Sequence, residues 1–225
     1  MDNNYGFGIV DCFLDSKIPK NQQTNVYWMI ANILGSPIAQ NISGDKVVEV
    51  KDRGASLKQG GRYHQTREGG SLHTDSPQWG DVPDYIGLYC LNNAKSGGDT
   101  RLVSAYSVHN LILERNGIEI LRVLYEPFHF DKRGEYKEKE SAVTTAPIFT
   151  YDENGLGMRY LRDYIDAGHQ SQETPLTEIQ KRALDVLDEA LENAGLDIQF
   201  SVRKGQIHYL NNHRIIHGRT SFEDS

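Results

Sequence analysis

Cysteine is scarce in this sequence. There are two, Cys12 and Cys90, far apart and in no CxxC arrangement. Two isolated thiols make no disulfide framework and suit a reduced, cytoplasmic chain. Long apolar runs are also missing, and no stretch approaches the roughly 18 residues that a membrane helix needs. The opening segment, MDNNYGFGIVDCFLDSK, has neither a basic n-region nor a long apolar h-region, so no signal peptide is expected. No basic run offsets a net charge of −7. That argues against nucleic acid or an anionic membrane as partner, while leaving room for a local basic pocket that takes a small acid. Internal repeats and low-complexity linkers are absent. What remains is an ordinary globular composition, with 38% hydrophobic and 24% charged residues over 225 positions. That length fits one domain or two small ones, with a full core and a small-molecule partner, and it leaves the oligomeric state open.

The 21 glycines fall between short apolar runs, the texture of a β-rich fold with many turns. The candidate strands are rich in β-branched and aromatic residues. They are Gly8–Val10, Lys46–Val50, Tyr85–Leu91, Thr100–Ser104, Pro147–Tyr151, Gly157–Leu161, Asp197–Ser201 and Gln206–Leu210. Helices are expected over Asn21–Leu34, stopped by Gly35 before Pro37, over Val108–Asn116, and from Leu176 to about Asn193. In the last helix Thr177 and Gln180 form a capping-box pattern. Ile179, Ala183, Val186, Leu187, Ala190, Leu191 and Ala194 then repeat at helical spacing, a stripe suited to packing on a sheet. The charged segment Asp131–Ser141 reads as a solvated loop or as a flap over a site.

The chemistry begins at His73-Thr74-Asp75, with His217 far downstream. Residues two apart on a strand project to one face, so an imidazole and a carboxylate can meet one cation. A third ligand from a distant strand completes a facial set of two nitrogens and one carboxylate, the arrangement of non-haem iron(II) oxygenases. The HxD pair alone is a weak signal, since two polar surface neighbours read the same way.

Further residues stand in order around it. Arg67-Glu68-Gly69-Gly70-Ser71-Leu72 leads into the pair. Lys95-Ser96-Gly97-Gly98-Asp99-Thr100 precedes a strand, and His217-Gly218-Arg219 precedes Phe222. From about Gly54 onward this set resembles the taurine dioxygenase-like (clavaminate synthase-like) family of iron(II)- and 2-oxoglutarate-dependent oxygenases. The resemblance implies a mainly β fold with flanking helices, a double-stranded β-helix or jelly-roll barrel. It implies Fe(II) held by His73, Asp75 and His217, with 2-oxoglutarate and O2 as cosubstrates. It also implies hydroxylation of a small polar or amino-acid-like substrate, with release of succinate and CO2. A carboxylate at Asp75 implies oxygen insertion or desaturation rather than halogenation.

Thr100 matches the threonine that holds the remote carboxylate of 2-oxoglutarate, and reads equally as a plain strand residue. The arginine that the family sets against that carboxylate is expected beyond Ser225. This favours a single domain over 1–225 that lacks its last strand. The other readings are that Arg219 substitutes, or that the chain binds metal without 2-oxoglutarate turnover. A zinc hydrolase is a further alternative, although no HExxH-like helix supplies a general base. Substrate contacts are sought at His64, Gln65, Arg159 and Arg162, the two arginines reading equally as partners of Asp163 or Asp166. Trp79 either walls the site or packs, His208 reads as packed, and His213 as structural.

Overall fold

The computed structural model describes residues 1, 5–12, 18–54, 65–193 and 195–224. In chain order its elements are β1 (Phe7–Asp11), α1 (Lys20–Leu34), β2 (Gly70–His73), β3 (Tyr85–Tyr89), β4 (Ser96–Gly97), β5 (Thr100–Ser104), α2 (Ala105–Asn116) and α3 (Ile118–Val123). There follow β6 (Pro127–Asp131), β7 (Val143–Pro147), β8 (Phe149–Asp152), β9 (Gly155–Met158), α4 (Arg162–Ser171), α5 (Glu178–Leu191), β10 (Asp197–Phe200), β11 (Gln206–Asn211), β12 (Ile215–Arg219) and β13 (Phe222–Glu223).

Two sheets carry the architecture, one ordered β1-β11-β3 and the other β10-β5-β12-β2. Every pairing in them is antiparallel. Alternation then sorts the four-stranded sheet into two faces. Leu72, Val103 and Ile216 face one way, into a large apolar cluster with Val108 and Ile112 of α2, Ile120 of α3, Phe128 and Phe130 of β6, and Leu184 and Leu187 of α5. Leu102 and Ile215 lie on the opposite side, in a smaller cluster with Ile86 and Leu210 of the three-stranded sheet. The stacked rings of Phe7 and Phe200, with centroids 6.1 Å apart, close one end of that inter-sheet layer. The fold is therefore mainly β with flanking helices, as the sequence suggests.

The outer side of the three-stranded sheet is covered by α1. Tyr27 donates its hydroxyl to the Gly87 carbonyl at 2.7 Å, and Tyr89 donates to Gln23 Oε1 at 3.0 Å. Gly87 permits this contact, because a Cβ there would lie 2.6 Å from the Tyr209 ring. α5 starts on the expected capping box: Gln180 N–H donates to Thr177 Oγ1 and Thr177 N–H to Gln180 Oε1. Its stripe is shifted from the sequence reading, since Ile179 is exposed and Leu184 is fully buried. Ala194 lies outside the described residues.

Two further expectations are corrected. Lys46–Val50 is not a strand: among the described residues no strand pairs with it, Val47 and Val50 stand exposed, and β-propensity without a partner ladder does not make a strand. The run after Met158 turns into α4 at Arg162 instead of continuing as strand. The hairpin of β6 and β7 and the short α3 are additional elements. No helix among the described residues is long and apolar enough to cross a membrane.

Candidate metal centre

β2 and β12 are antiparallel neighbours, and their register sets His73 directly opposite His217. Paired residues share a face, so both imidazoles stand on the inter-sheet side, with ring centroids 4.6 Å apart. Asp75 lies past the end of β2, so its position comes from the turn rather than from strand alternation. Asn212, fully buried, grips the Asp75 backbone twice: its Oδ1 accepts from Asp75 N–H at 2.9 Å and its Nδ2 donates to the Asp75 carbonyl at 3.0 Å. Thr74 is held from behind, donating its N–H to the Tyr160 carbonyl and accepting from Tyr160 N–H at its hydroxyl, both at 2.9 Å. Ser76 then turns the chain through a left-handed conformation with φ 52°. The result brings Asp75 Oδ1 to 3.5 Å from His73 Nε2 and 3.7 Å from His217 Nε2.

One ligand atom from each of His73, Asp75 and His217 lies within 4.8 Å of the other two, which is the spacing of donors around a single ion. The protonation pattern suits a cation. His73 Nδ1 is 2.7 Å from the Ser71 carbonyl. A carbonyl only accepts, so the proton sits on Nδ1 and the Nε2 lone pair faces Asp75. Burial pushes His217 down to about 3, against the attraction of Asp75, so it stays a neutral imidazole with a lone pair to give. Its Nδ1 is buried without a hydrogen-bond partner. Two neutral nitrogens and one carboxylate fit a divalent transition metal and leave coordination positions open.

The other two motifs meet beside this cluster. Gly97 and Gly98 both adopt positive φ, and a Cβ on Gly97 would lie 2.0 Å from the Ser221 carbonyl oxygen, so only glycine fits. Gly98 N–H donates to that same carbonyl at 3.1 Å. Asp99 N–H donates to Thr220 Oγ1 and Thr220 N–H to the Asp99 carbonyl, each at 2.9 Å. The Gly-Gly-Asp-Thr turn and the tail after His217 are thus one assembly. In register, Leu102 pairs with His217 and Thr100 with Arg219, which puts Thr100 and Arg219 on the same inner face as His73 and His217. The Arg219 guanidinium donates to the carbonyls of Thr66 and Glu68 and lies 4.3 Å above the Phe222 ring.

The remaining sequence candidates are placed as follows. His64 lies outside the described residues. Gln65 accepts at its carbonyl from Arg53 N–H. Arg159 donates to the carbonyls of Pro77 and Trp79, at 3.3 and 3.1 Å, just past Asp75. Arg162 is bound by carboxylates of Asp166, Asp185 and Asp188 at 3.1, 3.0 and 2.7 Å, so its charge is matched within the chain. His213 pairs with Asp84 at 3.2 Å. In the charged hairpin Glu135 accepts from Ile42 N–H. Sequence reading missed Asn212 and Thr74. The available signal was a polar residue closing an apolar strand, Gln206–Asn211, where a buried amide must find partners.

The family model described as taurine catabolism dioxygenase TauD, TfdA family matches residues 3–225. The chain belongs to this family. Among TauD/TfdA relatives it is 30% identical to FR-33289 synthase of Streptomyces rubellomurinus over 192 residues, which are 85% of this chain and 55% of that protein. It is 26% identical to trimethyllysine dioxygenase of Meyerozyma guilliermondii over 156 residues, 68% of this chain and 39% of that one. The chain spans about half or less of the length of these curated relatives. Among solved structures, asparagine oxygenase in complex with Fe(II), 2S,3S-3-hydroxyasparagine and succinate superposes with a TM-score of 0.72 at 18% identity, over 96% of this chain and 69% of that one. The non-heme iron oxygenase OrfP with Fe and alpha-ketoglutaric acid gives 0.69 at 16% identity, over 99% and 71%. These superpositions establish the shared fold.

Proposed function

We propose that this chain is an iron(II)- and 2-oxoglutarate-dependent dioxygenase that hydroxylates a small polar or amino-acid-like substrate and releases succinate and CO2. The observation that carries the reading is the three-atom cluster of His73, Asp75 and His217 on the inner face between the sheets. Membership of the TauD/TfdA family supports it, as do relatives named as dioxygenases and fold neighbours holding Fe with 2-oxoglutarate or succinate. Residues 1–225 are read as one oxygenase domain. Its two sheets are read as the halves of a double-stranded β-helix with the metal between them.

When bound, iron(II) with 2-oxoglutarate and O2 supplies the oxidising power for C–H hydroxylation. The chain's own residues do the rest. Ser71 orients His73 by taking its Nδ1 proton into a hydrogen bond. Asn212 and the Thr74–Tyr160 clamp hold Asp75 where the two imidazole nitrogens meet. The apolar layer of Leu102, Leu210, Ile86 and Ile215 keeps water from the cleft beside them. Thr100 and Arg219 are assigned to the end of 2-oxoglutarate remote from the metal, and Arg159 to the primary substrate, since among the described residues its guanidinium has only neutral carbonyl partners. The location is read as cytoplasmic.

Anaerobic addition of iron(II) and then 2-oxoglutarate tests the reading, followed through the weak visible band of the metal–oxo-acid chelate, with O2 and a succinate assay afterwards. A band and slow, O2-dependent succinate release are expected. Metal uptake with no band and no succinate would overturn the reading in favour of a metal-binding protein or a zinc hydrolase.

A further inference from the structure

His208 lies on the inner face of β11, only 4% exposed. It stands edge-on to Phe200 with ring centroids 6.4 Å apart. Its Nδ1 is 3.5 Å from Thr100 Oγ1, at the outer limit of a hydrogen bond. Its Nε2 is buried and has no hydrogen-bond partner. The Thr100 hydroxyl can donate to Nδ1, an arrangement that puts the proton of the neutral ring on Nε2. That proton is then a buried donor lacking an acceptor, a cost that a ligand's acceptor would remove. Arg219 shows the same deficit: its terminal nitrogen holds the carbonyls of Thr66 and Glu68, while its Nε is buried without a partner.

Both unmatched donors are neighbours of Thr100, His208 across the inter-sheet layer and Arg219 across the β5–β12 ladder. Two N–H donors, one beside the Thr100 hydroxyl and one on the ladder partner of Thr100, suit an anion with two oxygens. The level of this cluster follows from the register. Leu102 faces His217 and Thr100 faces Arg219, so it lies two residues of extended chain, about 6.6 Å, from a metal ligand on the same face. That is the reach of a five-carbon diacid gripped by the metal at its other end.

We propose that His208 is a binding residue for the cosubstrate: its Nε2–H donates to the carboxylate of 2-oxoglutarate remote from the metal, with Arg219 Nε–H as the second donor and Thr100 fixing the tautomer of the ring. This rests on the iron(II) and 2-oxoglutarate reading above. Burial favours the neutral ring, so His208 contributes an N–H while Arg219 matches the charge.

The test is an anaerobic titration of the iron(II)-loaded protein with 2-oxoglutarate and, separately, with 2-oxopentanoate, which has the same chain length and no remote carboxylate. The readout is the dissociation constant from the chelate band. The unsubstituted protein is expected to prefer 2-oxoglutarate. His208→Leu is expected to weaken 2-oxoglutarate by about ten- to a hundredfold while leaving 2-oxopentanoate unchanged. His208→Gln, which keeps an N–H, is expected to recover part of the loss. Unchanged 2-oxopentanoate binding also shows that the variant is folded. Loss of both acids equally, loss of neither, or no preference in the unsubstituted protein overturns the inference and leaves the metal reading standing. No metal uptake at all overturns the reading and the inference together.

Discussion

The two faces of the four-stranded sheet are built by opposite rules. Toward the helices, Val103, Ile216 and Leu72 meet α2 and α5 in a large apolar cluster. Tyr160 there donates to Asp188 at 2.5 Å, and Asp188 in turn takes Arg162 at 2.7 Å. Toward the other sheet, one register step away, stand His73, His217, Thr100 and Arg219 around a much smaller apolar cluster. His208 Nε2, His217 Nδ1 and Arg219 Nε are left buried there without partners. One face holds the fold together. The other spends stability on groups that a ligand must complete.

The largest effect should come from breaking the unfinished face. Asp75→Ala is expected to abolish O2-dependent succinate release and to weaken iron(II) by at least about a hundredfold, since even partners one step removed from a metal cost 10–100-fold. Iron titration and the succinate assay check this, and unchanged turnover would remove Asp75 from the site. On the finished face, Leu187→Ala should cost about 2–5 kcal/mol of stability, because the side chain is fully buried and its loss leaves a cavity. Denaturant unfolding would show it, with iron(II) affinity of the folded protein unchanged.

A pH series separates the faces more finely. Burial holds His208 at about 4 in the folded protein against 6.5 for a free imidazole. The unfolded chain therefore takes up a proton that the folded chain refuses. Stability from this residue is complete above about pH 6.5 and is lost as pH falls toward 4, by about 3 kcal/mol in all. His208→Leu should flatten that part of the metal-free unfolding profile, and an unaltered slope would count against it. Smallest, Thr177→Ala should remove the capping box of α5 for about 1 kcal/mol, lowering the melting temperature without touching metal or oxo-acid binding.

The features legible in the sequence were those whose physics is local. The capping box at Thr177 and Gln180, the stop at Gly35, and the strand Thr100–Ser104 each follow from a few adjacent residues, and all form as expected. Gly97 and Gly98 were readable through the family resemblance, and the structure supplies the reason, a turn in which both take positive φ. What stayed hidden depends on distant partners. α4 carries Gly168 in its middle, which argues against a helix until one sees that a Cβ there would lie 2.2 Å from the His129 carbonyl oxygen of β6. Lys46–Val50 has strand residues and no ladder to join. Asn212 is invisible as a site residue until the fold sets its amide against Asp75.

The docking of Ser221 and Thr220 onto Gly98 and Asp99 has a kinetic side. The bond from Asp99 N–H to Thr220 spans 121 residues, and β12 slots between β5 and β2 only when its segment is available. Such long-range closure comes late and slowly in folding. During synthesis, then, His73 and Asp75 emerge long before their third companion. On the proposed metal reading, a nascent chain exposes half a chelate until the segment that carries His217 has been made.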